Sequence, residues 1–130
     1  MTHQRILTVT SLLAMILFTF HWSDEISRGM EPGTTAAVGG FAILFVWLYA
    51  TLVLIDRRWG LVIVFVGALL ASAVPILHMQ GAGLVGGKHI AVNSGGAFFW
   101  VWTNIALGVS GMISLALAAH ELWRVWRGKK

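Results

Sequence analysis

The sequence contains no cysteine and little charge. The absence of cysteine among its 130 residues excludes disulfide bonds, thiolate metal sites and cysteine nucleophiles. Charged residues make up 11% of the chain, whereas a soluble domain carries about 25%. Hydrophobic residues make up 58%, and the mean hydropathy is +0.82. This composition is typical of an integral membrane protein that forms one small domain.

Four apolar stretches are long enough, or nearly so, to cross a bilayer, which takes about 20 residues in a helix. We expect these helices at about residues 5–28, 39–56, 60–78 and 97–120. The charged turn Asp56-Arg57-Arg58 separates the second helix from the third. The sequence therefore predicts an all-α integral membrane protein, a single domain over residues 1–130, built as an up-down-up-down bundle of four transmembrane helices.

The charges in the predicted loops give the bundle an orientation. If the helices alternate in direction, one side carries seven basic and two acidic residues, and the other carries two basic and three acidic residues. Cytoplasmic loops are enriched in basic residues, so we predict that both termini are cytoplasmic. The short loops and the absence of glycosylation sequons fit a multi-pass protein of a bacterial inner membrane. Anionic lipid headgroups then account for the net charge of +4, without nucleic acid as a partner.

Polar residues that could bind a metal or a ligand lie close together where the first apolar stretch ends. Helical spacing places four of them on one face: His21, Asp24, Glu25 and Arg28. In the predicted bundle the first and third helices run in the same direction, so His78, at the end of the third helix, should lie near His21. The sequence therefore predicts that these two histidines meet at the outer mouth of the bundle.

Two imidazoles and a carboxylate form a ligand set that suits zinc, copper or iron. We therefore predict a transition-metal site, or a b-type haem site, formed by His21 and His78 with Asp24 or Glu25. The alternative is structural. In that interpretation each histidine bonds to a backbone carbonyl or water at the membrane interface, and Asp24, Glu25 and Arg28 form only the solvated last turn of a helix.

The outer loop, residues 79–96, is long for a compact bundle, and loops of this length are often functional. Its Gly86-Gly87 pair, between two short runs that favour extended structure, is typical of a hairpin. Lys88 and His89 follow this turn and, with Arg28, are candidate contacts for an anionic group of a substrate.

Small residues in the third and fourth helices predict close helix packing. Gly67 and Ala71 form such a pair in the third helix, and Gly108 and Gly111 form another in the fourth. Asn104 should hydrogen-bond to another helix, because an unpaired amide in hydrocarbon is costly. We expect these faces to pack within the chain, in a homo-oligomer or against other membrane subunits.

Three functions follow from these features. The first is a non-enzymatic membrane protein that binds a metal or haem at its outer face. The second is an accessory or self-assembling subunit of a larger membrane complex, with no ligand of its own. The third is an outer-leaflet lipid-processing enzyme with a histidine as general base. No ionisable residue lies deep inside the four stretches, which argues against a proton-coupled carrier.

Overall fold

The computed structural model describes residues 3–29, 34–80 and 95–128. These residues form four α-helices: α1 (His3–Ser27), α2 (Thr34–Val53), α3 (Arg58–Gln80) and α4 (Gly95–Trp126). The predicted all-α class is confirmed. Two bounds differ from expectation by more than three residues. The helix α2 begins directly after the Pro32-Gly33 pair of the sequence, and α4 continues to Trp126 because Leu122 and Val125 still pack on the core.

Three of these helices are long and apolar enough to cross a membrane. The candidate spans are His3–Ser27, Arg58–His78 and Gly96–Trp126. The apolar part of α2, Ala37–Leu52, is shorter, although α2 as a whole has 20 residues. The chain therefore has the features of a multi-pass membrane protein.

The outer surface of the helices is strongly apolar. Large hydrophobic side chains are exposed on every helix, and Phe98 and Trp126 are each 77% exposed. A soluble bundle would turn such side chains inward, because contiguous apolar surface is unfavourable in water. These surfaces therefore imply contact with the lipid bilayer.

The core lies between α1, α3 and α4 and consists mostly of aliphatic and small side chains. Its fully buried members include Leu7, Ala14, Val64, Ala68 and Leu107. The helix α2 lies on one side of this core, with Trp47 packed over Gly67 of α3. A Cβ atom at Gly67 would lie 2.5 Å from the indole ring. The absence of a side chain at residue 67 therefore allows α2 to pack closely.

Contacts at both ends show the relative directions of the three core helices. At one end, called the site end here, the rings of His21, His78 and Trp100 lie against one another. At the opposite end, the ring of His3 lies 5.1 Å from that of His120. The helices α1 and α3 therefore run in the same direction, and α4 runs against them.

The small residues of α4 pack inside the chain. A Cβ atom at Gly111 would lie 2.7 Å from the backbone nitrogen of Ser72 and 3.0 Å from the carbonyl carbon of Ala71. The next glycine toward the site end, Gly108, faces the ring of Pro75. The backbones of α3 and α4 approach this closely only because these positions carry no side chain.

We expect Gly111→Ala to lower the free energy of unfolding by about 1–3 kcal/mol, because the new methyl group meets rigid backbone. The matched control is Gly39→Ala in α2, where a Cβ atom would have no neighbour within 4 Å. Reversible unfolding in mixed micelles, followed by circular dichroism, measures both changes. Equal stability of the two variants would contradict the close α3–α4 contact.

Candidate metal centre

The last turns of α1 bring a histidine and a carboxylate to the inside of the bundle. His21 and Glu25 are four residues apart, so they share one face, and their exposed fractions are 1% and 7%. The adjacent Asp24 faces a different direction and pairs with Arg28 at 2.7 Å. The structure therefore brings Glu25 to His21 and leaves Asp24 in an ion pair outside the cluster.

The third member of the cluster comes from α3. His78 is 9% exposed, and its Nε2 atom lies 2.9 Å from Glu25 Oε1. His21 Nε2 lies 3.4 Å from the same oxygen. One ligand atom from each of these residues lies within 4.8 Å of the others. His21, Glu25 and His78, called the triad below, could therefore hold a metal ion.

One separation within the triad is close to that of a tetrahedral centre. Bonds of about 2.0–2.1 Å at tetrahedral angles place neighbouring ligand atoms about 3.3 Å apart. The separation of 3.4 Å between His21 Nε2 and Glu25 Oε1 matches this value. The separation of 2.9 Å at His78 is that of a hydrogen bond and would have to lengthen slightly around an ion.

The first turns of α4 cover the triad with Trp100. Its indole Nε1–H donates a hydrogen bond to Glu25 Oε1 at 3.3 Å. Its ring lies 5.3 Å from that of His21 and is stacked on that of His78 at 5.6 Å. In the sequence, Trp100 belongs to an aromatic block, residues 98–102, that is typical of a membrane interface and does not by itself indicate a contact with the triad. Its spacing of three residues from Thr103 could have indicated this contact, because it places both residues on the face of α4 that meets α1.

Thr103 hydrogen-bonds to His21 and favours one of its tautomers. The threonine hydroxyl donates its hydrogen to the carbonyl of Phe99 at 2.9 Å or of Trp100 at 3.1 Å. When the hydroxyl donates in this way, its contact with His21 Nδ1, at 3.1 Å, is one in which the threonine oxygen accepts and Nδ1 carries the hydrogen. Neutral His21 then has its lone pair on Nε2, facing an oxygen of Glu25.

Two lone pairs that face each other in a buried site are unfavourable unless a positive charge lies between them. Within the described part of the chain, His21 Nε2 has no hydrogen-bond partner, and His78 Nδ1 also has none. A proton on His21 Nε2 would remove the conflict with Glu25, and so would a cation bound between these atoms. The triad is therefore suited to hold either one.

The other predicted site residues lie apart from the triad. Arg28 follows α1 and lies against Gly96 of α4. The hydrogen bond with Asp24 raises the pKa of the Arg28 guanidinium above its usual value. Lys88 and His89, with most of the predicted hairpin loop, lie outside the described residues. Of the predicted loop 79–96, the structure assigns 79 and 80 to α3, and 95 and 96 to α4.

A second cluster lies at the opposite end and is less suited to a metal. His3, His120 and Glu121 bring ligand atoms within 4.8 Å of one another, but both histidines are exposed. Both carboxylate oxygens of Glu121 lie 3.2 Å from the guanidinium of Arg124. A metal ion would have to displace this cation or lie beside it, so the triad is the stronger candidate.

The chain matches no protein-family model, no curated protein and no solved structure.

We expect Thr103→Val to lower the free energy of unfolding by about 1 kcal/mol more than Thr51→Val. Both threonines are buried and bond to a carbonyl of their own helix, but only Thr103 also accepts from His21. The paired measurement is detergent unfolding of the two variants. Equal losses would mean that the bond to His21 contributes nothing to stability.

Proposed function

We propose that this protein is a non-enzymatic, multi-pass membrane protein that binds a divalent transition-metal ion at the triad. The observation that supports this most strongly is the convergence of His21 Nε2, Glu25 Oε1 and His78 Nε2 in a buried site. The ion would accept the Nε2 lone pairs of the two imidazoles, each of which would keep its hydrogen on Nδ1. It would also compensate the charge of a carboxylate that is otherwise removed from water.

The donor set favours particular metals. Two imidazole nitrogens and one carboxylate oxygen, without sulfur, suit zinc, copper or iron. Three protein ligands leave a fourth position of a tetrahedral ion for water or a small anion. The surrounding residues would hold the ligands in place, because Thr103 orients His21 and Trp100 donates to Glu25. Zinc is therefore the first ion to test.

The geometry favours a bare ion over b-type haem. The two histidine rings are 5.0 Å apart, and an oxygen of Glu25 lies within 3.4 Å of a nitrogen of each ring. A haem held by both histidines would place the porphyrin plane between the rings, where the carboxylate now lies. We therefore propose the ion and leave haem as an outcome that spectroscopy would detect.

The two other functions have less support. The small residues that suggested a partner subunit pack against this chain's own helices, at Gly67, Gly108 and Gly111. The arginine proposed to hold an anionic substrate is paired with Asp24. An ion at the triad would lie beneath Trp100, which restricts access for a lipid substrate.

We further propose that all four helices cross a bacterial inner membrane in an up-down-up-down arrangement, with both termini cytoplasmic. The helix α2 has 20 residues, and at about 1.5 Å per residue it is about as long as the hydrocarbon core is thick. The basic residues that follow α4 support a cytoplasmic C-terminus. The triad would then lie at the outer side of the membrane.

Metal binding can be measured on the purified protein in detergent. We expect one zinc ion per chain by calorimetry and elemental analysis. We also expect the visible absorption of tetrahedral cobalt when that ion is substituted. Affinity should fall as the pH falls, because imidazole must lose its proton to bind. The variants His21→Ala, His78→Ala and Glu25→Gln should each bind much more weakly.

Two control variants test whether metal binding is specific to the triad. His120→Ala removes a histidine of the opposite end, and Asp24→Asn removes the carboxylate beside Glu25. Both should bind as the unchanged protein does. Absence of any ion from the unchanged protein, across zinc, copper and iron, would overturn the proposal.

Because the sequence contains no cysteine, a single cysteine introduced at either end can be labelled specifically to test the orientation in the membrane. In intact cells, a membrane-impermeant maleimide should label a Ser27→Cys variant at the site end and should not label a Trp126→Cys variant at the opposite end. Both variants should react with the maleimide once the membrane is permeabilised. Labelling of the Trp126→Cys variant alone would reverse the proposed orientation, and labelling of both in intact cells would contradict the span assignment.

A further inference from the structure

Besides His21 Nε2, two further buried polar atoms at or near the triad have no hydrogen-bond partner among the residues that the structure describes. They are Nδ1 of His78 and Oδ1 of Asn104. Asn104 belongs to α4 and is 2% exposed, so its amide cannot turn to bulk water. An unpaired polar atom inside a membrane protein is costly, and such atoms usually bind water, a ligand or each other.

Neighbouring contacts place Asn104 opposite the end of α3. Trp100 lies one helical turn before it and stacks on His78. Gly108 lies one turn after it and faces Pro75. Residues four apart in a helix lie above one another on the same face. Asn104 therefore faces the segment of α3 from Pro75 to His78.

We propose that Asn104 is a positioning residue for His78, and that it binds the Nδ1–H of this histidine when the triad holds a metal ion. The two side chains are not joined directly in the structure, so one water molecule or a rotation of the amide completes the link. This inference rests on the proposed metal binding and adds a role for a residue that does not touch the ion.

The tautomer of His78 is the reason for such a role. With Nε2 bonded to Glu25 at 2.9 Å, neutral His78 carries its hydrogen on Nε2 and a lone pair on Nδ1. To bind a metal through Nε2, the ring must move this hydrogen to Nδ1. Histidines that bind metals almost always donate that second N–H to an acceptor, which also fixes the orientation of the ring.

An asparagine amide can form a hydrogen bond with either tautomer of the histidine. Its NH₂ group can donate to the lone pair of Nδ1 when no metal is bound. Its carbonyl oxygen can accept from Nδ1–H when the metal is bound. The same residue would thus support the change of tautomer that metal binding requires. His21 has the corresponding arrangement with Thr103, whose hydroxyl oxygen accepts from Nδ1.

The test compares variants of Asn104 by zinc calorimetry in detergent. The substitution Asn104→Leu keeps the size of the side chain and removes the acceptor. It should weaken zinc binding by about 10–100-fold. An Asn104→Asp variant should bind zinc at least as tightly as the unchanged protein, because a carboxylate accepts more strongly. The matched control is Ser114→Ala, which removes a buried, unpaired hydroxyl of α4 nearly three turns away and should leave affinity unchanged.

A spectroscopic measurement separates positioning from a purely structural role. Nitrogen-15 NMR of the zinc-bound protein, labelled at histidine, should show the Nδ1 hydrogen of His78 in slow exchange. In the Asn104→Leu variant this hydrogen should exchange rapidly, while helix content by circular dichroism stays the same. Zinc affinity of Asn104→Leu equal to that of the unchanged protein would overturn the inference while leaving metal binding intact. Failure of the unchanged protein to bind zinc, copper or iron would instead overturn the proposed function.

Discussion

The site end of the bundle depends on one buried carboxylate. Glu25 Oε1 receives a hydrogen bond from the indole of Trp100 and lies within 3.4 Å of a nitrogen of His21 and of His78. These groups come from α1, α3 and α4, so one oxygen atom joins the three core helices. A buried carboxylate is unfavourable unless charge or hydrogen bonds compensate it. The three helices therefore have to meet at this level.

Close packing between the triad and the middle of the bundle holds the helices at a fixed distance. Gly108 and Gly111 allow α4 to lie against α3, where Pro75 and the Ala71–Ser72 backbone face them. On the other side of α4, Thr103 binds His21 of α1. The positions of the triad atoms thus follow from backbone contacts that side-chain motion cannot easily change. A metal centre needs this kind of rigidity, because its ligands must be held to within fractions of an ångström.

The amount that the sequence could predict differs between the fold and the site. The four helices follow from apolar runs interrupted by charge and glycine, and the meeting of His21 with His78 follows from alternating helix directions. The choice between Asp24 and Glu25 could not be made, because spacings of three and four residues both lie on the face of His21. Trp100 was also missed, since aromatic residues at a membrane interface are common for another reason. Only the register of α4 against α1 shows its indole reaching Glu25.

The shared carboxylate has a consequence for how the protein could release an ion. With hydrogens in place of a cation, the same oxygen still accepts from the indole and from the imidazole of His78. Zinc fingers, by contrast, unfold when their metal is removed. Here the scaffold would survive demetallation, since the helices remain tied by ordinary donors. A metal ion bound at the triad could therefore be loaded and released reversibly while the helices stay packed.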